Sequence, residues 1–255
     1  MLKLHILASG SRGNATIVEN DQTGHGVLVD CGICKRDFLA RCDEAHFDPA
    51  NIDAVLITHD HGDHTKGLGV VMRGLAKMGR QPLVYAADET VRASKAVQDA
   101  TSSCETRSFR PEECLTAAGI SIFPFATSHD AAASFGFRFE ANGDAAGFMT
   151  DTGIVTPQAH AHLADVRLLA LESNHDPKML SEGPYPYVVK QRIASDKGHL
   201  SNEQAAEELA SLLSNRLQAV AAMHVSENNN EYDLALRGFR AVMEREGCAA
   251  RVSCG

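Results

Sequence analysis

Short apolar runs alternate with polar turns along the whole chain, and the expected elements follow from that alternation. Strands are expected over residues 4–8, 15–19, 26–29 and 54–57, with the turn cluster Ser9-Gly10-Ser11-Arg12-Gly13-Asn14 between the first two. A helix over 36–45 is broken by Asp48-Pro49. Helical spacing returns over 66–78, where Gly67, Gly69 and Gly74 lower the propensity, and over 88–100, with a short strand at 83–86 between them. After a strand at 120–125, residues 135–139 alternate at period two. Asn142-Gly143-Asp144 then turns the chain into a partner strand at 146–149. A short helix over 156–163, with Pro157 in its first turn, precedes a strand at 167–171. Residues 177–197, centred on Gly183-Pro184-Tyr185-Pro186-Tyr187, read as irregular. Ser201 and Gln204 form a capping box that opens a helix reaching 214. A strand at 217–223, a helix over 232–246 and an edge strand at 249–252 close the order. Strands first, then alternating helices and strands, is an α/β pattern, read here as one domain over 1–255.

Chemistry-bearing side chains fall at one kind of place in this pattern. The apolar strand Ala54-Val55-Leu56-Ile57 runs directly into Thr58-His59-Asp60-His61-Gly62-Asp63-His64. His129, Asp151, Glu172 and His224 each follow an apolar strand within a few residues. Rigid strands aim the groups at their ends at a common point, so the recurrence is more telling than any single histidine. Imidazole and carboxylate together suit zinc, manganese or iron, and the spacing from His59 to His64 suits two adjacent cations. Asp30, at the end of the third strand, is either an acid that holds the fold or a ligand.

Composition narrows the class. The chain has 255 residues, 44% apolar and 22% charged, with no Trp. No apolar run is long enough to span a membrane, and the N-terminus is too short and polar for a signal peptide, so a cytoplasmic address is expected. Seven cysteines at irregular spacing do not make a disulfide framework, and Cys31 and Cys34 lack a second pair to complete a zinc ribbon; reduced structural thiols are expected. A net charge of −9 argues against a generally basic nucleic-acid binder. It leaves room for an enzyme whose metals supply positive charge at the site.

His-x-His-x-Asp-His after an apolar strand resembles the signature of the metallo-β-lactamase superfamily. The resemblance implies a four-layer αββα sandwich. It implies that His59, His61 and His129 hold one divalent metal, that Asp63, His64 and His224 hold a second, and that Asp151 bridges both, with Asp30 supporting the metal loop. Zn, Mn and Fe all fit these ligands. Two such metals hold a bridging hydroxide as nucleophile, which makes the chain a hydrolase.

The second half bears on the substrate. Leu171-Glu172-Ser173 and Gly198-His199-Leu200-Ser201 resemble two pieces of the tRNA-processing nuclease RNase Z, in which the Glu holds a His that protonates the leaving oxygen. The bland reading of His199 is a helix N-terminal residue packed near Ser201. Ser9-Gly10-Ser11-x-Gly13-Asn14, Asp30-Cys31-Gly32, Ser128-His129-Asp130, Thr150-Asp151-Thr152-Gly153, Glu172-Ser173-Asn174-His175-Asp176 and Gly198-His199-Leu200-Ser201-Asn202 together resemble the bacterial YycJ (WalJ) family from end to end. That family is associated with 5′→3′ exonuclease action on DNA and with a proposed role in DNA repair. The segment between Asp151 and His224 is too short for the large extra domain (the β-CASP insertion) of RNase J-type enzymes. DNA contacts must then come from loops: Lys178, Lys190, Arg192 and Lys197, with Tyr185 and Tyr187 as stacking candidates, and Ser11, Arg12 and Asn14 as weaker ones. Residues 177–197 read equally as a solvated loop. His175 is a partner of Glu172, a phosphate contact or an auxiliary metal ligand. The competing readings are a thioester or lactone hydrolase of the same fold, which has little need of a Glu172–His199 acid, and a metal-binding regulatory scaffold, which has little need of so complete a ligand set.

Overall fold

Hairpins build the start of the first sheet and helical crossovers build the rest, in a computed structural model that describes residues 1–255. β1 (Leu2–Ala8), β2 (Ala15–Asn20) and β3 (His25–Val29) pair antiparallel through short turns. From β3 onward the pairing is parallel, because each connection carries helix: α1 (Lys35–Glu44) leads to β4 (Ile52–Leu56), α2 (Gly62–Thr65) and α3 (Leu68–Lys77) to β5 (Leu83–Tyr85), and α4 (Asp88–Ala93) and α5 (Lys95–Thr101) to β6 (Thr106–Arg107). The sheet order is β1-β2-β3-β4-β5-β6. Parallel pairing of β3 and β4, with Val29 opposite Leu56, puts Asp30 and the histidine loop at the same edge.

The second sheet has the order β13-β12-β11-β10-β9-β8-β7. β7 (Leu115–Ala117) and β8 (Ile120–Ala126) are antiparallel, and β9 (Phe135–Ala141) turns into β10 (Asp144–Met149) through Asn142 and Gly143, both at positive φ. α6 (Pro157–Leu163) then leads to β11 (Leu168–Glu172). α7 (Pro177–Glu182), α8 (Tyr187–Ile193) and α9 (Asn202–Leu212) lead to β12 (Ala219–Met223), and α10 (Tyr232–Arg245) leads to β13 (Arg251–Cys254). β10, β11, β12 and β13 are parallel, with Met149 opposite Leu171 and Glu172 opposite Met223. The polar residues that follow β10, β11 and β12 therefore emerge side by side.

The chain forms two compact units, Met1–Pro124 with Ala131–Phe135 and Phe139–Gly143, and Phe125–Asp130 with Gly136–Arg138 and Asp144–Gly255. The first has a core that includes Leu28, Phe38, Val55, Ile57, Leu68 and Leu75. The second buries Phe125, Leu169, Leu171, Leu209, Val220 and Phe239. Each such side chain contributes on the order of 1.5–3 kcal/mol on leaving water. No helix is long and apolar enough to cross a membrane.

Three features differ from the sequence pattern. The helix expected over 88–100 is two helices, because Ser94 takes an extended backbone and its side chain accepts from Val97 N–H, capping a new helix. The segment expected to be irregular contains α7 and α8. Pro177 sits in the first turn behind an Asp176 cap, and Pro186 precedes α8, so the prolines start helices. β6 and β7, of two and three residues, are too short to carry a period of their own.

Candidate metal centre and general-acid pair

In the first unit, the end of β4 delivers a loop in which His59 and His64 are tethered at Nδ1. Asp30 is fully buried and accepts from Thr58 N–H at 2.9 Å, Thr58 Oγ1 at 2.8 Å and His64 Nδ1 at 2.7 Å. Thr58 Oγ1 thus donates to Asp30, and His59 Nδ1 donates to Thr58 Oγ1 at 2.9 Å. With Nδ1 tethered, the Nε2 lone pair of each ring is the one presented as a ligand. His59 and His61 have ring centroids 4.6 Å apart, and His59 and His64 4.1 Å apart. Asp63 Oδ2 lies 3.5 Å from His64 Nε2. Backbone bonds lock the loop in place: Asn14 N–H donates to Asp63 O, and Cys31 N–H to His64 O, each at 2.8 Å. Gly32 lies so close that a Cβ there would sit 1.5 Å from Asp63 O.

In the second unit, the residues after the parallel strands converge likewise. His129 donates from Nδ1 to Gly198 O at 3.0 Å, leaving Nε2 3.7 Å from Asp151 Oδ1. His224 Nε2 is 3.6 Å from the same oxygen. Asn174 donates to His224 O at 2.8 Å. The ligand atoms of Asp151, Glu172, His199 and His224 all lie within 4.8 Å of one another. Asp151 and His224, like Asp30, take positive φ, at 56°, 53° and 59°. Left-handed backbone costs a non-glycine residue about 1–3 kcal/mol and concentrates at functional sites. Here it follows β3, β10 and β12, at three of the places where a site side chain leaves a sheet.

Glu172 is spoken for. Its Oε2 accepts from Thr152 N–H at 2.9 Å and Leu200 N–H at 3.2 Å, and Oε1 accepts from His199 Nδ1 at 2.8 Å. A carboxylate so committed orients His199. Burial opposes the charged ring, but the Glu172 carboxylate, with Asp151 and Asp130 beyond it, overrides this and pushes His199 up to about 9. Burial, only partly offset by Asp151, lowers His129, and it pushes His175 down to about 4. Neutral His129 suits a ligand, and protonated His199 suits a proton donor.

Within the first unit the Nε2 atoms of His59 and His64 with the Asp63 carboxylate, and within the second the Nε2 atoms of His129 and His224 with the Asp151 carboxylate, are nitrogen–oxygen donors of the kind that suits zinc, manganese or iron. Of the expected substrate contacts, Ser11 and Arg12 are exposed. Asn14 is buried, its amide exchanging bonds with Gly10 and reaching His64 Nε2 at 3.0 Å. Lys178 and Arg192 are exposed, Arg192 pairing with Asp130, and Lys190 donates to Ser181 O at 2.7 Å. His175 is buried and belongs to no convergent donor group. The sequence reading left Thr58, Asn174 and the Gly198 carbonyl without roles, although each lay inside a stretch that it singled out.

Buried tethers, ligand candidates at strand ends and an αββα order of elements are those of a metal-dependent hydrolase of metallo-β-lactamase fold. Residues 25–224 match the model of the beta-lactamase superfamily domain. The chain belongs to the YycJ/WalJ family of that superfamily. It is 33% identical over 246 residues to the exodeoxyribonuclease YycJ of Bacillus anthracis, spanning 96% of this chain and 90% of that protein. It is 36% identical over 236 residues to the exodeoxyribonuclease WalJ of Streptococcus pneumoniae, spanning 91% and 85%. Among solved structures, the metallo-β-lactamase fold protein YhfI of Bacillus subtilis shares the fold at a TM-score of 0.74 and 18% identity, over 100% of this chain and 96% of that one.

Proposed function

We propose that the chain is a two-metal phosphodiesterase that digests DNA from its ends in the 5′→3′ direction, acting as a single hydrolase domain. His59, His61 and His129 would hold one divalent cation, Asp63, His64 and His224 the other, and Asp151 both. When bound, the cations supply the positive charge that makes water a nucleophile near neutral pH and offsets charge on the attacked phosphate. The remaining work belongs to side chains. Asp30 and Thr58 hold the imidazoles in one tautomer, and Glu172 holds His199 by Nδ1. His199 then gives the proton on its other nitrogen to the sugar oxygen as the phosphorus–oxygen bond breaks. Lys178, Lys190 and Arg192 supply positive charge for the DNA strand, with Ser11, Asn14 and His175 as further candidates.

The observation that carries this reading is the Glu172–His199 contact at 2.8 Å, with both Glu172 oxygens committed. A sugar alkoxide is a poor leaving group and needs an acid, whereas a thiolate does not. The names of the YycJ and WalJ relatives support DNA as the substrate. The test is a manganese-supplemented assay on 5′-labelled duplex DNA beside a thioester. DNA is cleaved from the 5′ end, and His199→Ala slows cleavage by roughly two to four decades with its metal content kept. His64→Ala and Asp151→Ala lose both metal and activity. Thioester turnover with intact DNA would reverse the assignment.

A further inference from the structure

α7 and α8 wall an open cavity of about 470 Å³, within the size range of small-molecule sites. Pro177, Leu180 and Ala194 give it apolar walls, and His175, Tyr187 and Lys190 give it polar ones. His175 is only 3% exposed, and its Nδ1 is buried without a hydrogen-bond partner. An unsatisfied buried ring nitrogen costs roughly 1–3 kcal/mol, so the ring is held in this wall by its packing and not by a hydrogen bond at Nδ1. Tyr187 is 72% exposed yet steadied by Gln191, whose amide donates to its hydroxyl. Lys190 ties the two helices together by donating to Ser181 O, leaving a positive charge beside the cavity.

The cavity is joined to the general-acid pair through the backbone. His175 follows Glu172 by three residues, and its carbonyl accepts from Asn202 N–H at 2.8 Å. At the other end, Ile193, which closes α8, accepts from His199 N–H at 2.9 Å. A Cβ at Gly198 would sit 2.1 Å from that same Ile193 oxygen, so no side chain separates the cavity wall from the acid's loop.

We infer that this cavity is a nucleobase subsite, which receives the base of the nucleotide whose phosphodiester His199 serves. A base has apolar faces for Leu180, Pro177 and Ala194, a polar edge for His175, and a π-face for Tyr187 to cover. The phosphate that accompanies it brings negative charge toward Lys190. Burial keeps the His175 ring neutral, so it meets the base edge as a donor or as an acceptor according to its tautomer. An acyl chain would use the apolar walls but bring no charge to Lys190 and no flat face to Tyr187.

The inference rests on the DNA-end reading above, and it is tested by binding as well as by turnover. The metal-loaded protein is titrated calorimetrically with a deoxynucleoside 5′-monophosphate and with deoxyribose 5-phosphate, which lacks the base. The mononucleotide binds at least tenfold more tightly. Ala194→Trp, which fills the cavity from an exposed position, abolishes that difference with metal content unchanged. His175→Phe, which keeps the ring without its nitrogens, reduces it several-fold. On duplex DNA, a 5′-terminal abasic nucleotide is removed at least tenfold more slowly than an intact one by the native protein, and Ala194→Trp treats the two alike. Equal binding of the two ligands, or a difference that survives Ala194→Trp, overturns the subsite. DNA cleavage that continues regardless of the base overturns the subsite and leaves the nuclease reading standing. Base-dependent mononucleotide binding without DNA cleavage overturns the nuclease reading alone.

Discussion

Asp30 commits both carboxylate oxygens inside the protein, to Thr58 and His64, and is fully buried. It touches the histidine loop only from behind, so its effect on the site passes through the orientation and basicity of His64 and, by way of Thr58, His59. Asp30→Asn is expected to keep the fold and weaken metal binding by about 10–100-fold, read in a competition titration with a chelator. Unchanged affinity would make Asp30 a packing residue only. The thiols divide as sharply. Burial raises Cys31 strongly and pushes Cys42 up to about 12, while Cys34 and Cys114 are exposed. The nucleophile is the thiolate, so a maleimide or iodoacetamide reagent is expected to label Cys34 and Cys114 in the native protein and spare Cys31 and Cys42 until it unfolds. Peptide mapping by mass spectrometry reads this directly.

Among the elements, α7 and α8 were the least legible. Gly183-Pro184-Tyr185-Pro186 contains the residues that most often break helices, and seven- and six-residue helices are too short for an apolar stripe to stand out. Their starts depend on capping instead. Asp176 Oδ1 accepts from Met179 N–H at 2.8 Å, while Asp176 N–H donates to Asn229 O. Asp176→Ala is expected to cost about 1 kcal/mol, seen as a lower denaturant midpoint with an unchanged slope. Because α7 walls the cavity, the same change should weaken mononucleotide binding more than metal binding. The longer elements were read well: the Ser201–Gln204 capping box, the turn at Asn142 and Gly143, and the parallel-strand runs all stand where their local chemistry puts them.

For the molecule as a whole, parallel topology does most of the positioning. Because β3 and β4 run parallel, as do β10, β11 and β12, their C-terminal residues share an edge within each sheet, and the polar groups that follow them arrive together. Local sequence was enough for the apolar runs, the Ser201–Gln204 cap, the hairpin and the rule that chemistry follows strand ends, since each depends on neighbours a few positions apart. The metallo-β-lactamase class was legible for the same reason: the motif from His59 to His64 is contiguous. What depended on tertiary structure was everything set by distant partners. The Asp30–His64 tether joins positions 34 apart, and the Gly198 carbonyl that orients His129 lies 69 residues away. Left-handed backbone at Asp30, Asp151 and His224 has no local signature, because Asp and His take it only where surrounding structure compensates for the strain. The placement of His175 is the clearest case. As a letter in the sequence it fitted three roles, and only the packing of α7 and α8 shows that it lines a cavity whose wall is tied by backbone bonds to the His199 loop.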